Sequence, residues 1–231
     1  MKASKKKILE EQFDLKIKQL TPSHILDLIT LQDQVFEDLE DDKKHFIVPK
    51  KKSAFEVFLA KGQVFGMFVN GDYKGHMIVS SPVAEKDLTG GFKDLDINPK
   101  EAIVIHNVLI CPSTQGMGLM SYMMGEIMGS FDKTGLKQAW SEVVPANEAS
   151  MRGFLSAGFK IVDAKRDESD NCPLYFLKYE TDDSGEENSL AEEFSCINEN
   201  YDAIQAKLKQ GNVIQKYDYK TKAVKWAKAK L

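Results

Sequence analysis

The sequence predicts a mixed α/β fold: a central sheet flanked by helices, followed by a C-terminal helical extension. Three observations carry this. Alternating or continuous apolar runs of strand length recur between stretches of helical period. Asn70-Gly71-Asp72 joins two apolar runs in the manner of a tight hairpin. At residue 181 the chain turns polar and acidic (TDDSGEENS), which marks a linker ahead of a last segment with its own apolar spacing.

The chain has 231 residues, 42% hydrophobic and 29% charged, enough to bury a core without disulfides or a metal. That composition excludes a disordered, collagen-like or disulfide-scaffold protein. No apolar run approaches the ~18–20 residues of a membrane span, so no membrane partner is expected. Lysine and arginine number 31 against 35 acidic residues, a balance that argues against nucleic acid. Cys111, Cys172 and Cys196 lie far apart and read as reduced thiols. The cationic start lacks the apolar stretch of a signal peptide, so the expectation is a cytoplasmic protein.

Residues 1–12 form a lysine-rich lead, frayed or helical. Phe13, Leu15 and Ile17 alternate with Asp14, Lys16 and Lys18, as in a half-buried strand. Ser23 is a plausible N-cap for a helix to about Leu39, with Ile25, Leu28, Ile29, Leu31, Gln32, Val35 and Phe36 at helical spacing. A charged loop over 37–52 precedes a short helix at 53–61. Strands at 64–69 and 73–80 form the hairpin, and a long loop spans 81–100. Residues 102–111 (AIVIHNVLIC) are nearly continuous apolar sequence, which predicts a strand buried on both faces. A helix then reaches Phe131. A strand at 138–144, a helix at 147–157 and strands at 159–164 and 174–179 follow. After the linker, Leu190, Phe194, Ile197, Tyr201, Ile204 and Leu208 repeat as an a/d stripe, and residues 216–231 form a basic amphipathic tail. The predicted organisation is a lead (1–12), a main domain (13–180), a linker (181–188) and a helical extension (189–231).

The informative segment is Gln115-Gly116-Met117-Gly118, between strand and helix. A glycine-rich turn that opens a helix aims backbone N–H groups at one point, where the helix dipole adds positive potential. Phosphate or pyrophosphate suits such a site, and glycines let it approach closely. A dinucleotide fingerprint requires a third glycine where this chain has Ser121, and a place in the first βαβ unit.

Leu109-Ile110-Cys111-Pro112 followed by Gln115-Gly116-Met117-Gly118-Leu119-Met120 resembles the acetyl-CoA signature of the GNAT superfamily of N-acetyltransferases. Gln115 and Gly118 match; Met120 departs where a small residue is usual. Asn147 to Phe159 (NEASMRGFLSAGF) is similar to the family's second motif, with Asn147, Phe154, Gly158 and Phe159 in register. The resemblance covers residues 13–180 and implies a GNAT-like mixed central sheet.

It also implies roles. The pyrophosphate of CoA would sit on the backbone of Gln115, Gly116, Met117, Gly118, Leu119, Met120 and Ser121. The pantetheine arm would pair with Val108, Leu109 and Ile110, where a backbone N–H would also hold the oxyanion. Asn147 would bond the arm from the other side. Acetyl-CoA would be the acyl donor to a primary amine, by direct attack and with no metal. Glu142, on a strand five residues before Asn147, resembles the base of N-terminal-amine acetyltransferases; the other reading is a glutamate that caps or faces solvent. Phe154 stands where the family often has a tyrosine acid, so the thiolate leaves unassisted or Tyr122 or Tyr175 reaches in.

Several features carry plainer readings. His106 is expected to be a satisfied core histidine, Cys111 a buried small residue and the methionines of 117–128 core packing. The acidic run 37–42 is either a rim that attracts a cationic amine or a solvated loop offset by nearby lysines. The C-terminal stripe packs on its own chain or on a second copy in a homodimer. The alternative to an enzyme is a non-catalytic CoA-binding sensor or regulatory module, favoured by Phe154 and Met120.

Overall fold

Turn chemistry and apolar spacing produce ten strands and seven α-helices among the described residues. The computed structural model of the chain describes residues 3–81, 90–181, 189–194, 197 and 199–228. Most of the acidic linker, Cys196 and the last three residues of the basic tail lie outside the described residues. The chain divides into two compact units, Met1–Ser80 with Val104–Ser130, and Ser81–Ile103 with Phe131–Leu231.

The first unit contains α1 (Ala3–Gln12), β1 (Leu15–Gln19), α2 (Ile25–Asp38), α3 (Lys52–Ala60), β2 (Val64–Val69), β3 (Asp72–Ser80), most of β4 (Ala102–Ile110) and α4 (Leu119–Met128). Its strands run β1-β2-β3-β4, each pairing antiparallel. The hairpin turns as expected: Asn70 and Gly71 have φ of 52° and 90°, the left-handed pair that matches strand twist. Leu20, Leu28, Phe55, Leu59, Val64 and Ile78 form one buried cluster, and Leu31, Val35 and Leu109 another, so α2 and α3 cover one sheet face. The lead helix α1 docks on α4, where Lys6 pairs with Glu126 and Tyr122 Oη donates to Glu10 at 3.2 Å.

The both-face burial predicted for β4 holds from Ala102 to Ile105 and stops at His106. There the pairing steps from Val79↔Ile105 to Ile78↔Asn107, leaving His106 as the extra residue of a β-bulge. His106 is therefore exposed rather than buried in the core. Its Nε2 lies 2.6 Å from Ser80 Oγ.

The second unit holds α5 (Phe131–Thr134), β5 (Gln138–Val143), α6 (Glu148–Ser156), β6 (Lys160–Arg166), β7 (Pro173–Glu180), β8 (Ser189–Phe194), α7 (Tyr201–Lys209), β9 (Asn212–Asp218) and β10 (Ala223–Lys228). The strand order is β5-β7-β6-β9-β10-β8. Tyr175, Leu177, Phe159 and Ile161 are fully buried at its centre.

The structure corrects the expected helical extension. Only α7 is helical; residues 189–194 and the basic tail are strands, and β9 and β10 continue the sheet beyond β6. The physical reason lies in the spacing. Leu190 and Phe194 are four apart, and four residues bring a side chain to the same face of a strand as well as of a helix. In the tail, buried Val224 and Trp226 alternate with Lys225, a period of two.

This extension packs into the core. Tyr175 Oη donates to Ile197 O at 2.8 Å, Tyr201 stacks on Tyr175 with centroids 5.5 Å apart, and Ile204 is 1% exposed. Ile204→Ala is expected to cost about 2–5 kcal/mol of stability, read as a lower urea midpoint at unchanged slope. A midpoint equal to wild type would show that α7 is peripheral.

Candidate functional site

Strand β4, the turn after it and helix α4 bring the phosphate-type motif together within the first unit. Cys111 N donates to Lys74 O at 2.8 Å, extending the β3–β4 ladder. Antiparallel pairing alternates the direction of backbone groups, so Leu109 faces β3 with Cys111, while Val108 and Ile110 send N–H and C=O to the opposite edge. Gln115 Nε2 reaches back on that side and donates to Ile110 O at 3.3 Å. Gln115 thus ties the turn to the strand end.

Pro112–Thr114 makes one 3-10 turn, held by Thr114 Oγ1 donating to Cys111 O at 3.1 Å. Gly116 and Gly118 follow with φ of 78° and 87°. Both values belong to the left-handed region, which costs any other L-residue roughly 1–2 kcal/mol. A Cβ at either glycine would meet nothing within 4 Å. Backbone conformation, and not crowding by the protein, requires these glycines, and the space above them is open to a ligand. Tyr122 N donates to Gly118 O at 3.0 Å as the first bond of α4. The N–H groups of Gly118, Leu119 and Met120 precede that bond and have no acceptor inside the helix. Leu119 and Ser121 are buried against the core, and Met117 and Met120 are half-buried.

Within the second unit, Glu142 stands on β5 opposite Phe176 of β7 and is exposed, while Ser141 and Val143 on the other face are buried. Asn147 is the N-cap of α6; its Oδ1 accepts from Ser150 N at 3.1 Å. Phe154 is 3% exposed and packs edge-to-face on Phe159, which meets Tyr179. Tyr179 pairs with Ala139, so Phe154 lies against the β5 face away from Glu142. The structure does not bring Glu142 and Phe154 together.

Neither tyrosine offered as a substitute acid is turned to that task. Tyr175 Oη donates to Ile197 O, and Tyr122 Oη to Glu10. Burial, with Glu126 and Glu10 close by, pushes the Tyr122 phenol up to about 12. In the acidic run, Glu40 pairs with Lys43, and Asp41 pairs with Lys44 at 2.5 Å. Those carboxylates are offset by lysines one turn away. Among the described residues no group of three or more His, Cys, Asp or Glu could hold a metal ion, and no helix is long and apolar enough to cross a membrane.

The sequence reading missed one polar cluster. His76 on β3 is 0% exposed, and its Nδ1 lies 2.7 Å from Tyr73 Oη. Asn107, beside the bulge on β4, is diagonal to it across the ladder. The available signal was a polar residue inside each of two apolar runs, KGHMIV and IHNVL. Burial first, then Lys50, pulls His76 down to about 3.

No family model matches the chain, and no curated protein matches it in sequence. Solved structures match in fold. The aminoglycoside acetyltransferase AAC(6')-Ib, in complex with coenzyme A and kanamycin, aligns with a TM-score of 0.56 at 13% identity, covering 73% of this chain and 95% of its own. A GNAT-family acetyltransferase from Listeria monocytogenes gives 0.57 at 16%, covering 72% and 94%. A ribosomal-protein alanine N-acetyltransferase from Escherichia coli gives 0.55 at 15%, covering 75% and 97%.

Two outcomes follow from the geometry. An unfolded histidine titrates near ~6.5. With the folded pKa of His76 below that, the unfolded chain binds more protons in the window between. Stability should therefore be full above about pH 6.5 and fall as pH drops toward 3, more gently in His76→Gln. Urea midpoints at pH 7 and 4.5 check this; equal midpoints would contradict it. Gly118→Ala should lose about 1–2 kcal/mol from its positive φ alone, measured by denaturation without ligand; an unchanged midpoint would remove the strain argument. The chain shares the fold of these acetyltransferases.

Proposed function

We propose that this protein transfers an acetyl group from acetyl-CoA to a primary amine. The observation that carries the reading is the left-handed Gly116–Gly118 turn heading α4, with open space where side chains would stand. The unbonded N–H groups at the start of α4 suit a pyrophosphate, and glycine lets the anion approach the backbone. The outward edge of Val108–Ile110 offers an N–H and C=O pattern on which a pantetheine amide can pair like an added strand.

Acetyl-CoA supplies an activated thioester. The chain's own residues do the rest. A backbone N–H at Val108–Ile110 stabilises negative charge on the thioester oxygen. Gln115 holds the strand end to the turn and so fixes that N–H relative to the phosphate seat. Asn147 starts α6, and its carboxamide nitrogen is the group assigned to the arm. The role assigned to Glu142 is to take the proton of the attacking amine, whose pKa of ~10.4 leaves it mostly charged at neutral pH. Phe154 has no proton to give and serves packing. The acceptor is a primary amine: small molecule, polyamine, lysine side chain or protein N-terminus. The kanamycin bound by one structural neighbour supports an amine acceptor. The paired charges of the 40–44 segment do not favour electrostatic capture there.

Thermal-shift titrations with acetyl-CoA, CoA and NAD come first. A ligand that binds only the folded state raises Tm, by the equivalent of about 2.7 kcal/mol at a hundredfold excess over Kd. Both CoA forms should stabilise and NAD should not; no shift with CoA would end the reading. Gly118→Asp should abolish the CoA shift. Glu142→Gln should leave it intact while lowering amine-dependent thiol release by about 100-fold or more near pH 7. A Glu142→Gln rate equal to wild type across pH 6 to 9 would remove Glu142 as the base. CoA binding without release for any amine would favour the sensor reading.

A further inference from the structure

Two of the buried polar atoms in the first unit lack a hydrogen-bond partner within ordinary geometry: His76 Nε2 and Asn107 Oδ1. They belong to diagonal neighbours on β3 and β4, since His76 pairs with Leu109 and Ile78 pairs with Asn107. The Asn107 side chain is close enough to act on His76 as a hydrogen-bond partner. One atom can donate and the other accepts. Leaving both unpaired would cost roughly 1–3 kcal/mol each, so a small adjustment or one bridging water closes the pair.

The other end of the imidazole meets a phenol. Tyr73 Oη lies 2.7 Å from His76 Nδ1. Burial, with Asp27 nearby, keeps that phenol protonated; it can donate to Nδ1 or accept from it, and as donor it leaves Nε2 to carry the hydrogen. With the phenol as donor, Nε2 bears the hydrogen, and Asn107 Oδ1 is the unpaired acceptor on the diagonal neighbour. The arrangement that satisfies all three side chains runs Tyr73 Oη–H to His76 Nδ1, then His76 Nε2–H to Asn107 Oδ1. Phe55 packs edge-on against His76 at 6.2 Å, which holds the ring plane.

Asn107 is the residue immediately after the bulge at His106 and immediately before Val108. A bulge disrupts the local ladder and allows register and strand direction to vary. We propose that Tyr73, His76 and Asn107 form a buried positioning relay that pins the β4 bulge and so sets the Val108–Ile110 edge for acyl transfer. The proposal rests on the acetyltransferase reading above. It adds a constraint on the geometry of that edge from three residues that need not touch either substrate. A misplaced oxyanion donor lowers turnover far more than ligand binding, because its bond matters most in the transition state.

The test has two arms, both on the full chain. In the first, side-chain 15N–1H NMR at pH 7 reads the tautomer of His76. The neutral Nε2–H form is expected, with its resonance shifted in Tyr73→Phe and Asn107→Ala. A neutral Nδ1–H form, or an imidazolium, overturns the relay. In the second arm, Asn107→Ala and Tyr73→Phe should lower kcat by about 10–100-fold, with KM for acetyl-CoA changed less than about twofold. His76→Gln, whose carboxamide can donate as Nε2 does, should recover more rate than His76→Leu. Folded variants with wild-type kcat overturn the positioning role. Equal loss in kcat and acetyl-CoA binding also overturns it, as the mark of general damage. A wild-type chain without turnover or CoA-dependent stabilisation defeats the acetyltransferase reading, and the NMR arm then decides the hydrogen-bond chain by itself.

Discussion

The register step at His106 is the constraint on which the packing of the first unit's central strand depends. Before it, β4 is an ordinary buried strand. After it, the side-chain parity is reset: His106 is exposed, Asn107 turns toward His76, and Leu109 buries against Leu31 and Val35. One extra residue thus lets a single strand be fully buried at one end and half-exposed at the other. Without it, the alternation that buries Ile105 would put the polar atoms of Asn107 and the packing surface of Leu109 on the wrong face. The glycine turn acts on the next link. Gly116 and Gly118 reverse the chain at positive φ, and Gln115 ties the reversal to Ile110, so strand end and helix start are held as one piece.

Much of this was legible in the sequence because it rests on local rules. Asn70-Gly71 specifies its hairpin by backbone conformation alone. The glycine turn is legible for the same reason, since Gly116 and Gly118 both take the positive φ that glycine adopts at least cost. The bulge was not legible. Nothing in AIVIHNVLIC distinguishes a continuous strand from one with an extra residue, because register is decided by the partner strand. His106 was accordingly expected in the core, and its exposure follows from the step that puts Asn107, and not His106, over the buried face. The relay was hidden by the same non-local cause: Tyr73, His76 and Asn107 meet only once β3 and β4 pair.

The C-terminal segment shows how a correct pattern can support the wrong element. Spacings of 4, 3, 4, 3 and 4 do fit a helix, and Tyr201, Ile204 and Leu208 are its buried face. Extending the stripe back through Phe194 to Leu190 joined two elements whose separate periods agree at four residues. The lysines of the tail encouraged a solvated amphipathic helix, yet Lys216 and Lys225 lie directly paired across β9 and β10 while Val224 and Trp226 fill the interior. Long lysine stems lie along apolar surface readily, as the Lys207 ammonium does 5.2 Å from the Trp226 ring. Charge therefore says little about whether such a segment is a surface helix or part of the sheet.

The placement of Phe154 bears on which half of the chemistry the protein must assist. Acyl transfer to an amine requires a proton to leave the nucleophile and a thiolate to depart. The thiolate is a tolerable leaving group, with a thiol pKa of ~8.5, whereas an amine of pKa ~10.4 is almost wholly protonated at neutral pH. The difference of roughly two units makes deprotonation the harder demand, worth about 2.6 kcal/mol at ~1.36 kcal/mol per unit. A phenylalanine sunk in the core beside Phe159 thus removes the less needed of the two proton transfers. What the reaction cannot forgo is a proton acceptor for the amine and a fixed N–H for the oxyanion. In the function proposed above, those parts are assigned to the exposed Glu142 on β5 and to the Val108–Ile110 backbone.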